Sequence, residues 1–128
     1  MRRRRRIAAA LLMALLPALT ACDPEDGPRL PVGEGIGDAA RGRLALGQYA
    51  CISCHIVPGM TGPEAHVGPS LHGVAGRRYV AGVLPNTPEN MATWIMRPQQ
   101  VDPRTAMPDM GVKEQHARDI VAYLYTRD

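Results

Sequence analysis

Residues 51–55 read Cys-Ile-Ser-Cys-His, and no other stretch constrains the fold of this chain as strongly. Two thiols three positions apart, with an imidazole directly after the second, have the attachment spacing of a c-type haem. The sulfurs add across the two vinyl groups, and the histidine lies under the iron. A porphyrin fastened there must sit in the middle of whatever a small chain builds. Two other readings of a Cys-x-x-Cys pair are weaker. A thioredoxin-like redox motif needs a βαβ context, and no alternating run of β-branched residues surrounds Cys51. A zinc site needs a second ligand pair, whereas the remaining cysteine is Cys22, and His66, His72 and His116 make no matching pair.

The start of the chain sets the expected compartment. Arg2 to Arg6 precede an apolar run from Ile7 to Leu16 and then Pro17-Ala-Leu-Thr-Ala-Cys22. A basic region, a short apolar core and small residues at the cut describe a secretory signal over residues 1–21. The apolar run is too short to span a bilayer, which takes about 20 residues. Leu19-Thr20-Ala21-Cys22 also resembles a bacterial lipobox, which implies cleavage before Cys22 and acylation of that cysteine as a lipid anchor. Ordinary cleavage after Ala21, leaving a soluble protein with an N-terminal thiol, is the alternative. Asp23 suggests retention on the periplasmic side of the inner membrane. The twin arginines lack the rest of the twin-arginine export consensus, and haem attachment to an unfolded chain fits the general secretory route.

Removal of the signal inverts the charge. The whole chain is formally +3, with 15 basic and 12 acidic residues. Five of the basic residues are Arg2 to Arg6, so ten basic residues face twelve acidic ones from Cys22 onward, a count of −2. A nucleic-acid partner is therefore not expected. The segment from Asp23 to Gly37 holds three prolines and four glycines and reads as a tether over residues 22–37. Residues 38–128 then form one small domain.

Within it, Asp38 is a candidate N-cap for a helix running towards Cys51, although Gly42 and Gly47 weaken its propensity. Thr87-Pro88-Glu89 is a stronger start, for a helix that covers Met91 to Met96 and stops before Pro98. A last helix from about Lys113 to Thr126 places Ala117, Ile120, Val121 and Leu124 on one face. Gly- and Pro-rich loops, not strands, fill the intervals. The class is all-α, with helices and long loops around one covalently bound haem.

His55 supplies one iron ligand, and a haem that only carries electrons needs a second. A methionine sulfur in that position raises the reduction potential. Met60 is too close to His55 in sequence to cross to the other haem face, and Met91 and Met96 read as packing on a helix. Met107 and Met110 lie in an irregular Pro-rich stretch able to cross it.

The segment Gly68-Pro-Ser-Leu-His-Gly-Val-Ala-Gly-Arg77 resembles the Gly-Pro-x-Leu-x-Gly-x-x-Gly-Arg stretch of class I cytochromes c. The pattern Pro98-x-x-x-x-Pro103-x-Thr105-x-Met107 is similar to that family's distal loop. With Cys51 to His55, three segments occur in family order from about Asp38 to the end. The resemblance implies a small cytochrome c fold with Cys51 and Cys54 as thioethers to haem c, His55 proximal and Met107 distal. It also implies that the Pro69 carbonyl accepts the proton on the far nitrogen of His55. Leu71 would pack on the haem, and Arg77 (or Arg78 beside it) and Thr105 would hydrogen-bond near a propionate. Trp94 would pack at the haem edge, and Tyr123 would lie where the first and last helices cross. Met110 competes with Met107 for the iron, while His66, His72 and His116 are expected at the surface.

Two departures stand out. Gln99 and Gln100 replace lysines common in mitochondrial relatives, which argues for apolar docking over a lysine ring. The last helix starts at Lys113 where relatives often have Ser or Thr, so fraying is expected there. The functional expectation is a membrane-tethered mono-haem electron carrier, not an enzyme, because no general acid or base constellation accompanies the motif. It takes no small-molecule substrate, and its partners are redox proteins, a terminal oxidase or a respiratory dehydrogenase. Leu84 to Asn90 with Trp94-Ile95 also resembles the cytochrome domain fused to subunit II of some haem–copper oxidases. The rival readings are a fixed cytochrome subunit of a respiratory complex, and a gas-binding or peroxidatic haem with an open sixth position.

Overall fold

A computed structural model describes residues 36–63 and 67–127. The expected signal segment, Cys22, most of the expected tether and His66 lie outside the described residues. Helix α1 spans Ala39–Gln48. Asp38 holds an extended backbone while its Oδ1 accepts the N–H groups of Ala40 at 2.8 Å and Arg41 at 3.0 Å. Two otherwise orphaned donors of the first turn are thereby satisfied. The chain leaves α1 through Ala50, which sits in the left-handed region at φ 52°, and enters a single 3₁₀ turn at Cys51–Ser53.

Helix α2, Pro88–Met96, starts as the sequence predicts, with the Thr87 hydroxyl accepting from Asn90 N–H at 3.2 Å and proline in the first turn. Pro98 ends that path and opens a four-residue helix α3, Pro98–Val101. An irregular segment over 102–113 leads to α4, Glu114–Tyr125. Lys113 precedes α4 without a side-chain cap; its own N–H reaches the Tyr49 hydroxyl at 3.4 Å.

The expectation of loops without strands needs correcting. A short antiparallel hairpin joins β1, Tyr79–Val80, to β2, Leu84–Pro85, in the register Val80↔Leu84. Its turn uses positive φ at Ala81 (54°) and Gly82 (72°), the pattern that matches the right-handed twist of paired strands. Runs of two residues show no alternation, so periodicity could not reveal them.

The core forms where α4 packs against both α1 and α2. Ala117, Ile120, Val121 and Leu124 are each at most 2% exposed. Burial extends beyond that face, because Ala122, Tyr123 and even Asp119 are covered as well. Two helical partners cover more than one stripe of α4. The α1–α4 crossing is close at Gly42: a Cβ there would meet the Asp119 carbonyl oxygen at 1.9 Å. Glycine, a weak helix former, is required at that crossing by the approach of the other backbone. Leu46 of α1 and Tyr123 of α4 both belong to the buried core, and the Tyr123 hydroxyl donates to the Pro58 carbonyl at 2.6 Å. No helix among the described residues is long and apolar enough to cross a membrane.

Candidate haem site

The loop after the Cys-x-x-Cys turn is tied back onto it. Gly68 N–H donates to the Cys54 carbonyl at 2.8 Å, and Leu71 N–H donates to the Ile56 carbonyl at 2.8 Å. These bonds carry residues 68–71 past the His55 ring. Nδ1 of His55 lies 2.7 Å from the Pro69 carbonyl oxygen. A carbonyl can only accept, so Nδ1 carries the proton and Nε2 keeps its lone pair free for a metal. Gly68 lies against the ring itself: a Cβ there would fall 2.4 Å from Cε1 and 2.6 Å from Nδ1. The imidazole is thus fixed in tautomer by one neighbour and in plane by the other.

Cys54, His55 and Met107 line one cavity, the first two from the chain directly after the 3₁₀ turn and the third from the segment before α4. Leu71, Trp94, Arg77 and Thr105 line it too, as do Val74, Val80 and the buried Met91. Cys51 is not in this lining; it packs half-buried against the core cluster. Burial pushes its thiol up, opposed by a backbone hydrogen bond and reinforced by Cys54. A thioether, which has no proton to lose, suits such a position. An apolar wall, Cys54 with Cys51 three residues before it, an oriented imidazole and the Met107 thioether in the same lining are together a donor set that fits a covalently held haem.

Two methionines line the cavity, Met107 and Met91; Met91 is buried in the core cluster on α2, and the other described methionines lie elsewhere. Met107 is half-buried at the cavity, whereas Met110 is 42% exposed and outside its lining. Met60 lies in a second cleft beside His55, with Ile52 and Val57. Met96 borders a larger cleft between α2 and α4, of about 490 Å³ against 230 Å³. That larger space has no thiol or imidazole in its lining, so size does not mark the site.

Around the cavity, Arg77 Nη2 donates to the carbonyls of Ser70 at 2.5 Å and His72 at 3.1 Å. Arg78 is exposed and does not line it. The Thr105 hydroxyl accepts Met107 N–H at 3.1 Å, and Gln99 Nε2 donates to Met107 O at 2.7 Å. Asn86 Nδ2 donates to the carbonyls of Val74, Ala75 and Arg77 at 2.8–3.2 Å, while its Oδ1 accepts from Tyr125. Sequence reasoning missed Gln99 and Asn86, whose partners lie eight or more residues away. His72 is exposed as expected, but His116 is half-buried, its Nδ1 2.9 Å from the Tyr49 hydroxyl. Among the described residues no three His, Cys, Asp or Glu side chains cluster to hold a metal ion.

Helices and loops around a cavity lined by Cys54, His55 and Met107 define a small all-α cytochrome. Comparison with known proteins gives the family. A family model for cytochrome c matches residues 39–128, and the chain belongs to that family. As a member of that family it carries one covalently bound haem c, the group through which the family transfers electrons. Over 89 residues it is 37% identical to cytochrome c oxidase subunit 2 of Alkalihalophilus pseudofirmus. That match covers 67% of this chain and only 25% of the subunit's length. Cytochrome c2 of Rhodobacter sphaeroides shares the fold with a TM-score of 0.57 at 24% identity, over 71% of this chain and 96% of the other. Cytochrome c2 of Rhodobacter capsulatus has a TM-score of 0.50 at 27% identity, over 69% and 96%.

Proposed function

We propose that this protein is a lipid-tethered, mono-haem electron carrier on the periplasmic side of the bacterial inner membrane. In this reading Cys51 and Cys54 hold haem c by thioether bonds, and His55 and Met107 are the axial ligands. The bound haem supplies a single-electron Fe(III)/Fe(II) couple. The chain's own work is to hold both ligands still and to keep water off the iron. The observation that carries the reading is the meeting of Cys54, His55 and Met107 at one cavity, with Nδ1 of His55 engaged by Pro69. Leu71 and Trp94 form apolar wall, and Arg77 and Thr105 stand where a propionate edge can be bonded. A filled sixth position favours carriage over gas binding or bond chemistry.

Residues 1–21 are the signal peptide, 22–37 the tether and 38–128 the cytochrome domain, with acylated Cys22 as anchor. The partners are redox proteins, an oxidase as acceptor or a dehydrogenase as donor. The similarity to one quarter of an oxidase subunit also supports a second reading, a fixed cytochrome subunit of a respiratory complex. Purification in mild detergent separates the two, because a fixed subunit stays with its complex.

The test is spectroscopic. Met107→Ala should abolish the near-infrared methionine–Fe(III) band and admit carbon monoxide to the reduced protein, whereas Met110→Ala should leave both unchanged. The reverse outcome overturns the axial assignment. Cys22→Ser should release the protein from the membrane, and continued retention refutes the anchor.

A further inference from the structure

Met107 sits in a segment with little to hold it. Residues 102–113 contain no helix or strand, and Pro103 and Pro108 have no N–H to donate. Most of the hydrogen bonds there close over two or three residues. Thr105 N–H reaches Asp102 O at 3.1 Å, Arg104 N–H reaches Asp102 Oδ1 at 3.0 Å, and Gly111 N–H reaches Asp109 Oδ1 at 2.8 Å. The bond from Met107 N–H to Thr105 Oγ1 is equally local. Among the described residues, one hydrogen bond ties segment 103–111 to a separate element: Gln99 Nε2 of α3 to the Met107 carbonyl, 2.7 Å. A carbonyl only accepts, so the face of the amide turned to it must be the donor. The base of that bond is firm, since Pro98 beside Gln99 is buried and its carbonyl accepts Asp102 N–H at 2.9 Å.

We propose that Gln99 is a positioning residue for the distal ligand. Its amide holds the Met107 backbone so that the thioether stays on the iron, and it sets how often the sixth position opens. This rests on the assignment of Met107 as axial ligand. A thioether is a neutral, weak ligand, so its residence on the iron depends on how tightly the chain confines it. A bond made only in the closed arrangement shifts the closed–open balance by its own net strength. An added ligand then binds in proportion to the open fraction.

The test is imidazole titration of the ferric holoprotein, followed by its visible spectrum, with the near-infrared methionine band and denaturant unfolding recorded on the same samples. Gln99→Ala should tighten apparent imidazole binding roughly three- to tenfold, the factor given by losing one ordinary hydrogen bond. Gln99→Glu should tighten it further, because a carboxylate oxygen would face the Met107 carbonyl. Gln99→Arg should restore the native value, since guanidinium donates and stays protonated. The neighbouring Gln100→Ala should change nothing.

Unchanged imidazole affinity in Gln99→Ala overturns the proposal, as does an equal effect from Gln100→Ala. A lowered denaturation midpoint without an imidazole effect also refutes it, by showing a merely structural role. Met107→Ala is the separating control. Persistence of the methionine band in that variant removes the axial assignment itself, and the positioning role with it.

Discussion

Arg41 grips Asp119 at two points, Nε to Oδ2 at 2.8 Å and Nη2 to Oδ1 at 3.1 Å. The carboxylate is fully buried and also accepts Asp38 N–H and the Gln115 amide, so α1 and α4 are locked by one charged group. Burial by itself would raise the carboxyl pKa. The hydrogen bonds from Arg41, Asp38 and Gln115 overcome it and hold Asp119 below the ordinary carboxylate value. A carboxyl with a depressed folded-state pKa stabilises the fold above its unfolded value of about 3.9, and that stability is lost as pH falls through the folded value. Acid unfolding should therefore begin below about pH 4 on this account. Arg41→Ala leaves a buried carboxylate without its half-exposed cation, so its acid midpoint should move to higher pH, with a solvent-screened loss of about 1–2 kcal/mol at pH 7. Urea unfolding against pH checks both, and an unchanged acid midpoint in Arg41→Ala would contradict the linkage.

Two glycines of the same helix should respond with opposite signs. A Cβ at Gly42 would meet the Asp119 carbonyl oxygen at 1.9 Å and its carbon at 2.5 Å, both backbone atoms that cannot step aside. At Gly47 the nearest neighbour is the flexible end of Met60, 4.0 Å away. Gly42→Ala should cost about 3 kcal/mol despite its better helix propensity, because the crossing must open. Gly47→Ala should gain about 0.5–1 kcal/mol from propensity alone. Denaturant midpoints of the two holoproteins decide it.

That contrast marks the boundary of what the chain's text reveals. Helix starts were legible because their signals are local: the Asp38 carboxylate and the Thr87-Pro88 pair act within three residues. The attachment motif was legible because one covalent chemistry demands that spacing. Gly42 read as a weakness in α1, and only the backbone of residue 119 explains it. Asp119 was passed over because a charged residue on a helix is ordinarily solvated; the signal available was its position between Ala117 and Ile120 in the apolar pattern. Gln99 was read by what it replaced and not by its own reach to Met107.

Asn86 fastens the loop that forms one wall of the cavity. One amide nitrogen serves the carbonyls of Val74, Ala75 and Arg77, and Oδ1 takes the Tyr125 hydroxyl at 2.5 Å. Asn86→Ala strands several partly buried groups at once and should cost about 2 kcal/mol. Tyr125→Phe removes a single bond and should cost about 1 kcal/mol. Thermal unfolding of the two variants gives the order, and a larger loss in Tyr125→Phe would show that packing and not the loop bonds dominates.

Gly68→Ala tests the seat of the proximal imidazole. A methyl group there cannot coexist with the His55 ring, since it would lie 2.4 Å from Cε1 and 2.9 Å from Nε2. The ring must tilt or the 68–71 loop must withdraw, and either movement breaks the 2.7 Å contact between Nδ1 and the Pro69 carbonyl. Loss of that bond lowers the basicity of Nε2 and loosens its tautomer. A less basic proximal nitrogen stabilises Fe(III) less, so the reduction potential of the holoprotein should rise, with a steric destabilisation of about 2–3 kcal/mol. Potentiometric titration alongside denaturant unfolding separates the two effects. A variant that is destabilised but keeps the native potential would show that Gly68 supports the loop without setting the ligand.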